Sequence, residues 1–334
     1  MTFQVRVNSS DIVFDCDSNQ NILDAALKAG YELSFSCLKG VCGSCKAKVI
    51  SGDVTASFGE GTLTAEELEN GFSLLCQARP CSNVGLEVAS IKKFDPNAIK
   101  RIKAKLQKIE RLTEDVSILN LRFPAGIKVP FKPGQYLRVV LPCGEKRCYS
   151  MANPGTQKDA VQLHVRHVPG GVFSNYLEIS AAVGDILDIE LPVGDFYLRP
   201  SSKPLIFLAS GTGFAPIKSI FESMVKAGAP ERSVYLYWGG RRKVDLYMYD
   251  LARTWERTVE NFKFVPVLSD EDNGNDRTGF VHQAVLSDFD SLSDYEVYAC
   301  GAPAMIAAAR TDFLSHRALP TEHFYCDAFV TSYA

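Results

Sequence analysis

No window of the 334-residue chain reaches the roughly 18 uncharged apolar residues that a membrane-spanning helix needs, so no membrane partner is expected. Charge of one sign does not accumulate either. The 36 Lys and Arg and 39 Asp and Glu are mixed along the sequence for a net −3, and the basic stripe of a nucleic-acid binder is missing. Histidine is scarce, with five in all and none before His164. There are no internal repeats and no low-complexity segments. The opening MTFQVRVNSSDIVF alternates apolar and polar residues, a strand pattern without the apolar core of a secretory leader, and a cytoplasmic location is expected. What remains, 46% hydrophobic and 22% charged, is globular in composition and long enough for two or three domains.

Ten cysteines are too few for a disulfide scaffold of this length, and they are unevenly placed. Cys16, Cys81, Cys143, Cys148, Cys300 and Cys326 are scattered and read mostly as small core residues. Cys37-x4-Cys42-x2-Cys45, followed at a distance by Cys76, has the plant-type [2Fe–2S] spacing. Three thiolates on one tight loop and a fourth from elsewhere can wrap a compact cluster. Gly40 and Gly43 let the loop turn and free backbone N–H groups toward sulfur. A zinc site or plain buried thiols are the alternatives. Zinc sites pair two short cysteine knuckles or use His, and a Rieske centre needs two His, so the lack of nearby histidine speaks against both.

Along the chain the rhythm changes twice. Residues 1–90 read as a small mixed α/β unit with an amphipathic helix at 21–29, closed by Gly30. Residues 91–100, basic around Asp95-Pro96, read as a linker. Residues 101–202 carry short alternating runs punctuated by Gly and Pro, the pattern of a small antiparallel barrel. From 203 to 334 strands alternate with helices, which implies a doubly wound parallel sheet.

Three further motifs carry chemistry. Arg147-Cys148-Tyr149-Ser150 ends a barrel strand after Pro133-Gly134-Gln135-Tyr136. There Arg147 suits a flavin phosphate, Tyr149 the ring face and the Ser150 hydroxyl its reactive nitrogen. Downstream, Gly170-Gly171-Val172-Phe173-Ser174 opens a helix suited to pyrophosphate. Taken alone, an ordinary strand-end Arg-Tyr explains the first of these equally well. Gly211-Thr212-Gly213-Phe214-Ala215-Pro216 follows a buried strand and starts a helix, either as a phosphate loop or as a plain βα turn. Cys300-Gly301-Ala302-Pro303 lies at another strand's carboxyl end, where open α/β sheets bind ligands, with Cys300 toward a nicotinamide. Near the end of the sequence, Phe329 suits stacking on a flavin, with a core aromatic as the alternative. Arg241 and Arg242 follow the next strand and lean toward a 2′-phosphate, whereas nearby Asp245 leans toward a free 2′-hydroxyl. NADH against NADPH stays open.

Together these pieces resemble the ferredoxin–NADP reductase superfamily, in its members with an N-terminal plant-type ferredoxin domain that serve multicomponent aromatic-ring oxygenases. The run His164-Val165-Arg166-His167-Val168-Pro169-Gly170-Gly171 looks like reductases of terephthalate-type dioxygenases, and 278–285 with 297–301 like the reductase of CDP-6-deoxyhexulose 3-deoxygenation. The resemblance implies a β-grasp ferredoxin domain, a six-stranded antiparallel flavin-binding barrel and a doubly wound nucleotide domain. It implies a [2Fe–2S] cluster on Cys37, Cys42, Cys45 and Cys76, FAD, and NADH or NADPH. Cofactor contacts are then expected from Arg147, Tyr149, Ser150, His164, Val165, Gly170, Gly171, Val172, Ser174, Gly211, Thr212, Gly213, Pro216, Arg241, Arg242, Cys300, Gly301 and Phe329, with Ser150, Cys300 and Phe329 nearest the redox chemistry. The implied partner is a terminal oxygenase of the Rieske type. Reductases of a sugar-nucleotide deoxygenase or a di-iron monooxygenase, and a stand-alone flavin reductase, are the alternatives.

Overall fold

The computed structural model describes every residue except 9, 56–61, 94, 96, 97, 229 and 331–334, and it divides into two compact units, Met1–Ile99 and Lys100–Ala334. In the first, β1 (Thr2–Val7), β2 (Val13–Asp17), α1 (Ile22–Lys28), β3 (Tyr31–Leu33), β4 (Lys46–Ser51), α2 (Ala65–Glu69), β5 (Phe72–Leu74), β6 (Val84–Glu87) and β7 (Ile91–Lys93) follow in turn. The main sheet runs β2-β1-β6-β4-β5, with β1 and β6 parallel and its other pairs antiparallel. Helix α1 starts at a polar cap, where Asn21 Oδ1 accepts the Asp24 N–H at 2.8 Å, and it buries Ile22, Leu23, Ala25 and Ala26. The front of the expected linker is not an irregular connector. Ile91–Lys93 pairs antiparallel with β3, Ile91 opposite Leu33, and its exposed lysines suit a sheet edge. Residues 94, 96 and 97 of that stretch, Pro96 included, lie outside the described residues.

The second unit begins with β8 (Lys100–Arg111), β9 (Val116–Arg122), β10 (Tyr136–Val140), β11 (Lys146–Ser150), β12 (Ala160–Arg166), α3 (Val172–Ile179) and β13 (Ile186–Val193). These strands form one sheet, β11-β10-β13-β8-β9-β12, antiparallel at every pairing. Alternate residues such as Leu119, Leu121, Leu137, Val139, Leu163, Val165, Ile189 and Leu191 share its core. Beyond this come β14 (Leu205–Ser210), α4 (Phe214–Lys226), β15 (Val234–Gly240), α5 (Tyr249–Thr258), β16 (Phe262–Leu268), β17 (Arg277–Thr278), α6 (Val281–Asp288), β18 (Glu296–Gly301), α7 (Pro303–His316) and β19 (Phe324–Ala328). Their sheet runs β17-β16-β15-β14-β18-β19, parallel throughout. The unbroken apolar run of β14 is what a strand covered on both faces requires. From β14 the chain builds outward through β15 and β16, then returns to lay β18 on the opposite edge of β14. The topological switch point therefore falls between the carboxyl ends of β14 and β18.

Three of the six scattered cysteines depart from the core reading. Cys16, Cys300 and Cys326 are buried, whereas Cys81, Cys143 and Cys148 are exposed. Cys148 lies on the terminal strand β11, whose alternation turns it outward. Among the described residues no helix is long and apolar enough to cross a membrane.

Candidate functional site

The thiol centre lies wholly in the first unit. Leu38, Gly40 and Gly43 take left-handed backbone conformations (φ +57, +75 and +73°), which curl the loop between the cysteines. Cys42, Cys45 and Cys76 are buried and Cys37 is partly so. The free thiols hydrogen-bond in two pairs, Cys37 with Cys42 and Cys45 with Cys76. Hydrogen bonding to Cys42, then burial, pushes the Cys37 thiol far up, and hydrogen bonding to Cys76, then burial, does the same for Cys45. The hydrogen bond with Cys45 lowers Cys76. Backbone donors point at sulfur: Lys39 N–H to Cys37 Sγ at 3.4 Å and Ser44 N–H to Cys42 Sγ at 3.5 Å. No group of three His, Cys, Asp or Glu among the described residues closes on a single metal ion. Two facing thiol pairs with N–H donors instead fit a cluster of two irons, each taking two thiolates.

In the second unit, strand alternation sorts the Arg147–Ser150 motif. Arg147 and Tyr149 lie opposite Val139 and Leu137 on the core side, and Tyr149 packs 5.3 Å from the Phe173 ring of α3. Ser150 lies opposite Tyr136 on the other face. The hydroxyls of both are buried and lack any hydrogen-bond partner. Arg138 also acts on the Tyr136 hydroxyl but does not meet hydrogen-bond geometry, so Tyr136 counts as unsatisfied. Two orphaned hydroxyls at paired positions mark a place for an outside group. Arg147 holds Glu145 at 2.7 Å, an exposed carboxylate that an incoming phosphate can displace.

The opening of α3 is capped by no side chain: Gly171 is the N-cap and Gly170 has φ +74°. Ser174 Oγ accepts the Val168 N–H at 2.8 Å and so shapes this turn, while Val172 is exposed. Open N–H groups beside an aromatic face and orphaned hydroxyls fit a flavin with its phosphates. Val165 and His164 are placed otherwise. Val165 is fully buried in the core, because its place on β12 alternates inward. His164 bonds Tyr247 Oη at 2.8 Å and Gln162 Oε1 at 3.2 Å, and burial, then the Lys218 charge, pushes it well below its ordinary range. It is a neutral bridge between the flavin sheet and the loop before α5.

At the switch point two loops fit into each other. A Cβ on Gly213 would stand 2.1 Å from Cys300 O, and one on Gly301 would stand 2.3 Å from Ser210 Oγ. Ser210 Oγ accepts the Ala302 N–H at 2.9 Å, and the Phe329 N–H reaches Gly301 O at 2.8 Å. Gly211, Thr212, Gly213, Pro216, Cys300, Gly301 and half-buried Phe329 are thereby brought together at strand ends and at the start of α4, which fits a dinucleotide. Within this joint the Cys300 side chain is fully buried, and burial, then Asp327, pushes its thiol up. A reactive thiolate is not what this environment makes.

Arg166 is the residue that motif reading passes over. It pairs with Asp115 at 3.1 Å, and its guanidinium approaches Gly211 so closely that a Cβ there would come within 2.9 Å. Beyond its place in the run 164–171, its sequence signal is a cation at the end of a strand. The nucleotide-choice residues also sort differently from their types. Asp245 Oδ2 accepts the Arg241 and Arg242 N–H groups at 2.9 Å each, so this carboxylate is spent on the backbone. Lys243 pairs with Asp276 at 3.8 Å, whereas the Arg241 side chain is 70% exposed.

Three domain families match: a 2Fe-2S iron-sulfur cluster binding domain over 5–81, an oxidoreductase FAD-binding domain over 103–197 and an oxidoreductase NAD-binding domain over 207–311. Terephthalate 1,2-dioxygenase reductase component 1 of a Comamonas species is 39% identical, covering 99% of this chain and 98% of its own. The CDP-6-deoxy-L-threo-D-glycero-4-hexulose-3-dehydrase reductase of Yersinia pestis is 41% identical over 99% and 100%. Among solved structures, the Amycolatopsis cytochrome P450 reductase GcoB superposes with a TM-score of 0.76 at 33% identity, covering 98% and 99%.

Proposed function

The chain belongs to the oxidoreductases that join a [2Fe–2S] domain to FAD- and NAD-binding domains, and from that premise we propose that it is the reductase of a terminal Rieske-type aromatic-ring oxygenase. Chains of this family carry electrons from NAD(P)H through FAD to the iron–sulfur cluster. The first unit is read as a β-grasp ferredoxin domain over 1–90 with a linker at 91–100. The six-stranded antiparallel sheet is read as a closed flavin barrel over 101–202, its end strands joined by the Met151–Leu163 bridge, and 203–334 as the nucleotide domain.

Bound flavin supplies the conversion of a two-electron hydride into the single electrons that a [2Fe–2S] cluster accepts. The protein's part is orientation and exclusion of water. Ser150 offers its orphaned hydroxyl to the flavin ring, Tyr149 covers a ring face, and Arg147 with the 170–174 turn holds phosphate. Thr212, the half-exposed member of its loop, and the start of α4 hold the nucleotide phosphates, with Arg166 adding charge from the flavin sheet. Phe329 guards nicotinamide entry, and the buried Cys300 shapes that pocket by its volume. None of these groups acts as a general base. Cys37 with Cys42 and Cys45 with Cys76 hold the cluster.

The observation that carries this reading is the pair of orphaned hydroxyls, Ser150 and Tyr136, in the same unit as the interlocked Gly213–Cys300 joint. An anaerobic titration with NADH and then NADPH, followed by visible and EPR spectroscopy, tests it. Flavin bleaching together with a reduced-cluster signal is expected. Bleaching without that signal in an iron-replete sample would leave only a flavin reductase. The likeness to the Yersinia protein supports a second acceptor, a sugar-nucleotide dehydrase. Reconstitution with each type of acceptor protein separates the two.

A further inference from the structure

One helix touches both the dinucleotide joint and the segments on either side of the flavin strands. Helix α4 starts in the joint, and its flank rests on the two segments that bracket the flavin motif. On one side, Gly134 lets Ile220 approach so closely that a Cβ would stand 3.0 Å from Ile220 Cδ1. On the other, just beyond Ser150, Lys218 Nζ donates to Ala152 O at 3.2 Å and Ser219 Oγ to Asn153 O at 2.6 Å. Ser223 Oγ accepts the Gly155 N–H at 3.1 Å. Lys218 also pairs with Glu222 at 3.0 Å. Ser219 is wholly buried and Lys218 is 7% exposed.

An apolar seam would hold these two sheets together without burying an ammonium and a hydroxyl. Directed hydrogen bonds fix register, which an apolar seam does not. At about 1.5 Å per residue, Ser219 lies about 9 Å and Ser223 about 15 Å along the helix from Gly213, so the contacts occupy its second and third turns. We propose that Lys218, Ser219 and Ser223 form a positioning latch. It registers the flavin strand against the dinucleotide joint, and it passes occupancy of the joint, through a rigid helix, to residues 152–155. The proposal rests on the flavin and nucleotide readings above.

The test uses the anaerobic holoenzyme and the variants Ser219→Ala, Ser219→Thr and Ser223→Ala, each read in two ways. In stopped-flow reduction by NADH, Ser219→Ala lowers the limiting rate of flavin bleaching about tenfold, with FAD content and half-saturating NADH unchanged. Ser219→Thr restores it, and Ser223→Ala, at the half-buried end, loses about threefold. In amide exchange, NAD+ slows exchange at both 211–216 and 151–157 in the unaltered protein. In Ser219→Ala it slows exchange at 211–216 only. A rate loss that tracks lost FAD or a lowered Tm overturns the latch, as does NAD+ protection of 151–157 that survives in Ser219→Ala. If neither nucleotide bleaches the flavin of the unaltered protein, the proposed function fails instead, and the exchange pattern still judges the latch.

Discussion

In the first unit three of four sulfurs come from one nine-residue loop, Cys37 to Cys45, and the backbone around them is bent into left-handed turns. In the second, Ser150, Gly213, Cys300 and Phe329 come from four separate strand ends, and glycines at 213 and 301 let those ends interlock. The first centre is specified by spacing, the second by topology. A spacing-defined centre is lost through its ligands and tolerates moderate loop strain. A topology-defined centre is lost through any residue that keeps its strands from seating.

The largest effect expected from this contrast is in Cys76→Ser. The reduced-cluster EPR signal disappears, while flavin reduction by NADH stays within about twofold because the units are separate. Next comes the steric comparison. Gly213→Ala drives a Cβ into the Cys300 backbone and destabilises the second unit by about 3 kcal/mol. Gly40→Ala meets the flexible Gln77 side chain at 3.0 Å, Leu74 at an ordinary 3.8 Å and a φ of +75°, and costs about 1 kcal/mol. Calorimetry that resolves two transitions checks both, and equal losses would erase the distinction. In Ser150→Ala the hydride-transfer rate falls about tenfold, equivalent to ~1.4 kcal/mol, with FAD still bound. For nucleotide choice, Arg241→Ala shifts the NADPH-to-NADH ratio of kcat/KM by no more than about fivefold, since an exposed cation is screened.

The smallest effect is on pH dependence. The folded state holds His164 neutral below its ordinary 6.5, so the unfolded chain binds a proton that the folded chain refuses. Stability is fully present above that value and declines as pH falls through it, by at most about 1.4 kcal/mol per pH unit. A series of unfolding curves from pH 7 to 5 shows the slope, to which His167 and His282, also held down by burial, add, and His164→Gln reduces it. An unchanged slope in that variant would place the titrating group elsewhere.

The order of segments, the cysteine set and the two glycine loops were legible from residues 37–76 and 211–216 because each is a contiguous pattern with one geometric purpose. Arg166 and Tyr136 were not, since packing of β12 on the loop after β14 brings Arg166 to Gly211, and the register of β10 on β11 sets Tyr136 opposite Ser150. Asp245 shows the reverse difficulty. Its type suggested a ribose contact, yet two backbone N–H groups three and four residues back claim it first. His164 and Val165 share a motif but not a role, because neighbours on a strand face opposite ways.

The joint between Ser210 and Ala302 spans 92 positions, and its outer edge is closed by Phe329. On a ribosome, where domains fold from the N-terminus as they emerge, the thiol loop is complete once Cys76 has appeared, long before the nucleotide loops can meet. A nascent chain is thus ready for its iron before it can spend any nicotinamide. Contacts this distant in the sequence keep the electron supply closed until the last strand has docked.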